Sequence, residues 1–72
     1  MTPHEIGAEI RARRKLLRLT QEDVADLAGV NRRLVSEVER GMVSVTLRNL
    51  IAICSAVGLD LVSQPRYPES TP

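Results

Sequence analysis

Between Glu5 and Arg18 the apolar residues Ile6, Ile10 and Leu17 recur on one helical face, with Arg13 and Arg14 filling the turn between them. That spacing predicts a first helix, and Thr2-Pro3 suits its start because proline is preorganised for a first helical turn. A second helix is predicted from Thr20. Its hydroxyl can cap the backbone, and Asp23 stands where a capping box needs an acceptor. Val24, Leu27 and Ala28 form its apolar stripe, and Gly29 stops it. Asn31 caps a third helix over 32–40, with Val35 and Val38 facing inward and Gly41 beyond its end. A fourth runs from about Thr46 to Val57. Leu47, Leu50, Ile53, Cys54 and Val57 make its buried face, Ile51 lies at the rim or in a dimer contact, and Gly58 ends it. Leu59–Ser63 is too short for a helix and alternates weakly, so it reads as a strand. From Gln64 the prolines Pro65, Pro68 and Pro72 mark a flexible tail. The domain is therefore expected over 1–63 and the tail over 64–72.

Length limits what such a domain can do. The chain has 72 residues, and a chain of this size buries only about 60% of the surface its unfolded form exposes. Small domains lean on disulfides, metals or association. Cys54 is the one cysteine and His4 the one histidine, so neither a disulfide nor a metal site is expected. Cys54 reads as a small core residue, and His4 is assigned nothing. Association remains, and a homodimer is expected. No secretory signal and no apolar run near 18 residues is present, so no membrane is expected, and one cysteine fits a reducing cytoplasm.

Charge sharpens the picture. The net charge is only +1, yet nine of the ten basic residues fall between Arg11 and Arg48. Local basicity of this kind serves phosphate binding, and a small net charge conceals it. The chain has no Trp, no Phe and one Tyr, so it lacks aromatic platforms for single-stranded bases.

A helix, a short glycine-bearing turn and a second helix make the helix-turn-helix pattern. Ala25 supplies the small residue that a steep crossing needs, and Gly29 supplies the turn conformation. The outward face of helix three then carries Arg32, Arg33, Ser36 and Glu37. Two arginines in a first turn oppose the helix dipole, so their placement asks for another reason.

The stretch LTQEDVADLAGVNRRLVSEVERG, with IRARRKLLR before it and LRNLIAICSAVGLDL after it, resembles the Cro/cI-type, or XRE, helix-turn-helix of phage repressors and bacterial regulators. The resemblance covers roughly Ile6 to Leu61. It implies an all-α, lambda-repressor-like domain of four to five helices, and the LDLV segment that follows resembles the HipB type, which implies a short C-terminal strand pairing across a dimer. By the same resemblance Gln21 contacts phosphate at the start of helix two. Asn31 caps helix three and touches backbone or base. Arg32, Arg33 and Glu37 face base edges, and Arg14 with Glu39 forms an ion pair between helices one and three. Two positions depart from common members: Glu37 is acidic where a basic residue or glutamine is usual, and Leu34 replaces a small polar residue.

The residues leave alternatives open. Arg32 and Arg33 could fork onto guanine or hold phosphate. Glu37 could accept from cytosine or orient Arg33 four residues before it. Ser36 is a phosphate donor or a bystander. The function expected is that of a dimeric repressor on a palindromic operator in double-stranded DNA. The alternative is an antitoxin resembling the HipB type, which represses its own operon and holds a kinase-like toxin protein. Neither a cofactor nor an enzymatic activity is expected, since no nucleophile–base pair or phosphate-cradling loop is visible.

Overall fold

The computed structural model describes residues 1–42 and 44–66. Four helices follow in order: α1 Pro3–Leu16, α2 Gln21–Ala28, α3 Arg32–Glu39 and α4 Leu47–Ala56. Each starts on a side-chain cap. Thr2 accepts from the Glu5 N–H while Glu5 accepts from the Thr2 N–H, both at 3.1 Å. Thr20 and Asp23 repeat the arrangement at 3.0 and 2.9 Å, so the shorter aspartate does close the box. The Thr20 backbone N–H, and after it the Thr20 hydroxyl, hold the Asp23 carboxyl below its ordinary range. Asn31 and Thr46 cap α3 and α4 through the N–H groups of Leu34 and Asn49. Each cap is worth about 1 kcal/mol.

The ends are also alike. After α2 the N–H of Val30 reaches the Ala25 carbonyl. After α3 that of Met42 reaches Glu37, and after α4 that of Leu59 reaches Cys54. After α1 that of Leu19 reaches Arg14. The residue preceding each of these donors has a positive φ, which is the Schellman termination.

The core is aliphatic. Ile10, Val24, Val35, Ile53 and Val57 are fully buried, with Ala25, Val38 and Cys54 beside them. Burial pushes the Cys54 thiol up from its ordinary value. Three expected core residues lie outside it. Leu17 is exposed because α1 ends at Leu16 and the chain turns away; Leu19, past the turn, packs on the core instead. Leu27 is exposed because the buried side of α2 is centred between Val24, Ala25 and Ala28. Leu47 is the first residue of α4 and stands outside the packed helices.

Two further contacts fix the helices. Gly7, inside α1, brings that helix onto the α3 backbone, where an added Cβ would sit 2.3 Å from the Val38 carbonyl oxygen. Arg13 donates from Nε to the Val57 carbonyl at 3.1 Å, so it caps the end of α4 rather than merely filling a turn of α1. The described residues contain no strand. Leu59–Ser63, expected as one, runs without regular structure, because a strand needs a neighbouring edge and this single chain offers none. Residues 67–72 of the expected tail lie outside the described residues, and Gln64–Arg66 are exposed.

Candidate nucleic-acid interface

The turn between α2 and α3 is three residues long, Gly29 to Asn31. Gly29 has φ 71°, and nothing lies within 4 Å of where its Cβ would be. Its glycine answers to backbone conformation, not to space. Ala25, 3% exposed, lets the two helices cross closely. Val35 and Val38 bury one side of α3 and so set the other side outward. Arg32 and Arg33 are exposed there, with Ser36 and Glu37 half-buried one turn on.

Glu37 stands four residues after Arg33, and its Oε2 lies 3.8 Å from the Arg33 Nε. The Arg33 side chain is 86% exposed. So loose and wet a pair contributes little stability. It does bias where the guanidinium points.

Beneath this surface sits a hub on Glu39, whose side chain is 3% exposed. Arg14 grips it with two bonds, Nε to Oε2 at 2.6 Å and Nη2 to Oε1 at 3.0 Å. Arg14 Nη1 donates to the Leu19 carbonyl at 3.0 Å, which ties the α1–α2 turn to the hub. The hydrogen bonds that Arg14 donates to Glu39 raise its pKa against the opposing effect of burial. Gln21 also donates to Glu39, from Nε2 at 3.2 Å. Its side chain is thus engaged inside the protein, which the sequence did not signal. Arg14 and Gln21, with Thr20 and Arg32, line an open polar depression at the start of α2. The first N–H groups of α2 have no carbonyl in their own helix, so this end of the helix attracts anions. Asn31 spends its carbonyl oxygen on Leu34 and keeps its amide N–H groups on an exposed residue.

The depression and the α3 face therefore adjoin through Arg32. Arg33 and Glu37 form a separate pair farther along α3. His4 lines a different groove, along α1, with Arg11 and Lys15.

The helix-turn-helix family model matches residues 10–63, most of the chain. This chain belongs to the XRE-type helix-turn-helix family. It is similar to the restriction-modification controller protein C.AhdI from Aeromonas hydrophila, with 33% identity over 81% of this chain and 88% of that one, at a TM-score of 0.72. It is similar to the clp gene regulator ClgR from C. glutamicum, with 28% identity over 85% of this chain and 78% of that one, at a TM-score of 0.74. A chain of the HipA-HipB-O2-O3 complex shares the fold at a TM-score of 0.82, covering 93% of this chain and 94% of that one, with 18% identity. No curated protein matches. The XRE-type chain is a DNA-binding transcriptional regulator. Among its described residues no helix is long and apolar enough to cross a membrane, and no group of acidic, histidine or cysteine side chains is placed to hold a metal ion.

Proposed function

We propose that this regulator is a dimeric repressor that inserts α3 into the major groove of a palindromic operator. The observation that carries the reading is the outward face of α3, where Arg32 and Arg33 are exposed at the helix start while Val35 and Val38 anchor the opposite side. The α2 N-terminus grips a phosphate through its backbone N–H groups. Gln21 contributes there through its backbone N–H and through the second N–H of its side-chain amide, the first being bonded to Glu39. Asn31 offers its amide to the DNA backbone, and Ser36 its hydroxyl. Arg32 and Arg33 read base edges, and Glu37 orients Arg33. Two copies about a twofold axis place their α3 helices in successive major grooves, about 34–36 Å apart. Occupancy then excludes polymerase sterically. Both C.AhdI and ClgR carry names that describe controllers or regulators, which supports a role in controlling genes.

Selection of bound duplexes from a random pool tests the reading. A palindrome with half-sites about one helical turn apart is expected. Replacing Arg32 or Arg33 by Ala should then cost about 1–3 kcal/mol in each half-site and relax one position there. A loss that is uniform across sequences would assign that arginine to phosphate instead. A pool that shows no enrichment would overturn the repressor.

A further inference from the structure

We propose that Arg18 is a DNA-backbone contact whose guanidinium binds a phosphate beside the start of α2; this rests on the DNA-binding reading above. The evidence is an internal comparison. All four helices end in the same hydrogen-bonded motif, and each needs one residue in the left-handed backbone region. After α2, α3 and α4 that residue is Gly29, Gly41 and Gly58, with φ of 71°, 81° and 75°. After α1 it is Arg18, with φ 59°. Arg18 is the one non-glycine residue with positive φ among the described residues. In this conformation an L side chain crowds its own carbonyl, and glycine escapes the penalty.

The fold does not account for the exception. Arg18 is exposed, and its guanidinium has no hydrogen bond or ion pair among the described residues. Arg13 and Arg14 on the preceding turn both have internal partners. The Arg18 backbone N–H bonds to the Lys15 carbonyl, but glycine would make the same bond. What arginine adds here is a free charge at a particular place.

That place is two residues before Thr20, the cap of α2. Two residues span at most about 7 Å of chain, within an extended arginine's reach. An extended Arg18 side chain is thus long enough to meet an anion seated over the polar depression that Arg14, Thr20, Gln21, Glu22 and Arg32 line. The carbonyl of Leu19, the next residue, is held by Arg14, so the turn that carries Arg18 is anchored to the hub. Backbone strain persisting at a surface with no internal use for the side chain points to an external partner. Phosphate matches the charge, the exposure and the position.

The test compares the full-length parent with Arg18→Gly, Arg18→Asn and Arg18→Lys. Thermal melting is read for each, together with affinity for the selected duplex over a salt series. Arg18→Gly is expected to melt above the parent, since it relieves the strain. Its affinity should nonetheless be about tenfold weaker per copy near 0.1 M salt, roughly a hundredfold for the dimer, with a log–log salt slope shallower by about 1.8 because two Arg18 side chains are lost. Asn tolerates this backbone region and carries no charge, so it should lose the same slope. Lys should retain it. A glycine variant that melts higher but binds with the parent's affinity and slope overturns the assignment while leaving DNA binding intact. A parent that binds no duplex at all removes the DNA-binding reading, and this inference with it.

Discussion

Glu39 is the one buried charged residue among the described residues, and three side-chain hydrogen bonds hold it there. A buried ion pair adds little over a well-packed apolar pair, but removing one partner leaves an uncompensated charge, which costs about 3–5 kcal/mol. A domain of this length holds only about that much stability in total. Glu39→Ala should therefore leave the chain largely unfolded at 25 °C, as read by the loss of helical circular dichroism. The double variant Arg14→Met with Glu39→Met should recover a cooperative melt, because no charge is stranded. A single variant that melts within a few degrees of the parent would show that water, not Glu39, satisfies Arg14. This pair was legible in the sequence only through family resemblance, since 25 positions separate its members and no local pattern links them. The bond from Gln21 was not legible at all. The resemblance assigned that side chain to phosphate, and only the meeting of α2 with α3 reveals that one of its N–H groups is bonded to Glu39.

At the scale of elements, local chemistry carried far. Polar caps at Asn31 and Thr46 and the capping box at Thr20 act within three residues, so their helices could be placed from sequence. What failed was the edge of each apolar stripe. Leu17, Leu27 and Leu47 obey the helical period but face outward, because burial depends on where a helix ends and where its neighbours lie. Gly7 shows the same limit from the other side. By propensity alone, Gly7→Ala should stabilise α1 by about 0.5–1 kcal/mol. In the fold its Cβ would meet the carbonyl oxygens of Val38 and Glu39 at 2.3 and 2.7 Å. These are backbone atoms and cannot rotate aside, so α1 and α3 must separate. Overpacking of this kind costs about 1–3 kcal/mol, more than the helix gains. Gly7→Ala should lower the midpoint of urea unfolding, and a raised midpoint would mean that the two helices are not held at this distance. The shift should reach DNA binding too, since α1 carries Arg14 and α3 carries the outward arginines.

For the whole molecule, the proposed dimer must be built from surface this chain leaves open. The antitoxin alternative and one form of dimer both asked Leu59–Ser63 to be a strand, and the single chain leaves that segment irregular. A strand formed only on pairing is invisible in one chain, so its absence here follows from geometry. The outer side of α4 offers a more continuous surface. Leu47 and Ile51, one turn apart, are 66% and 46% exposed, and neither has a place in the core. An i,i+4 pair of large aliphatic side chains on a short helix is costly to leave in water, by roughly 25 cal/mol per Å² of apolar surface. Covering it with the same patch of a second copy satisfies a twofold axis, because such an interface pairs a surface with itself. Replacing both Leu47 and Ile51 by Glu sets like charges against one another across that axis, while the exposed positions leave the monomer fold intact. Sedimentation should then show a folded monomer where the parent is a dimer. Operator affinity should fall steeply, with isolated half-site binding affected far less, because only the palindrome draws on the second copy. A variant that sediments as the parent does would move the interface off α4 and back to the C-terminal segment.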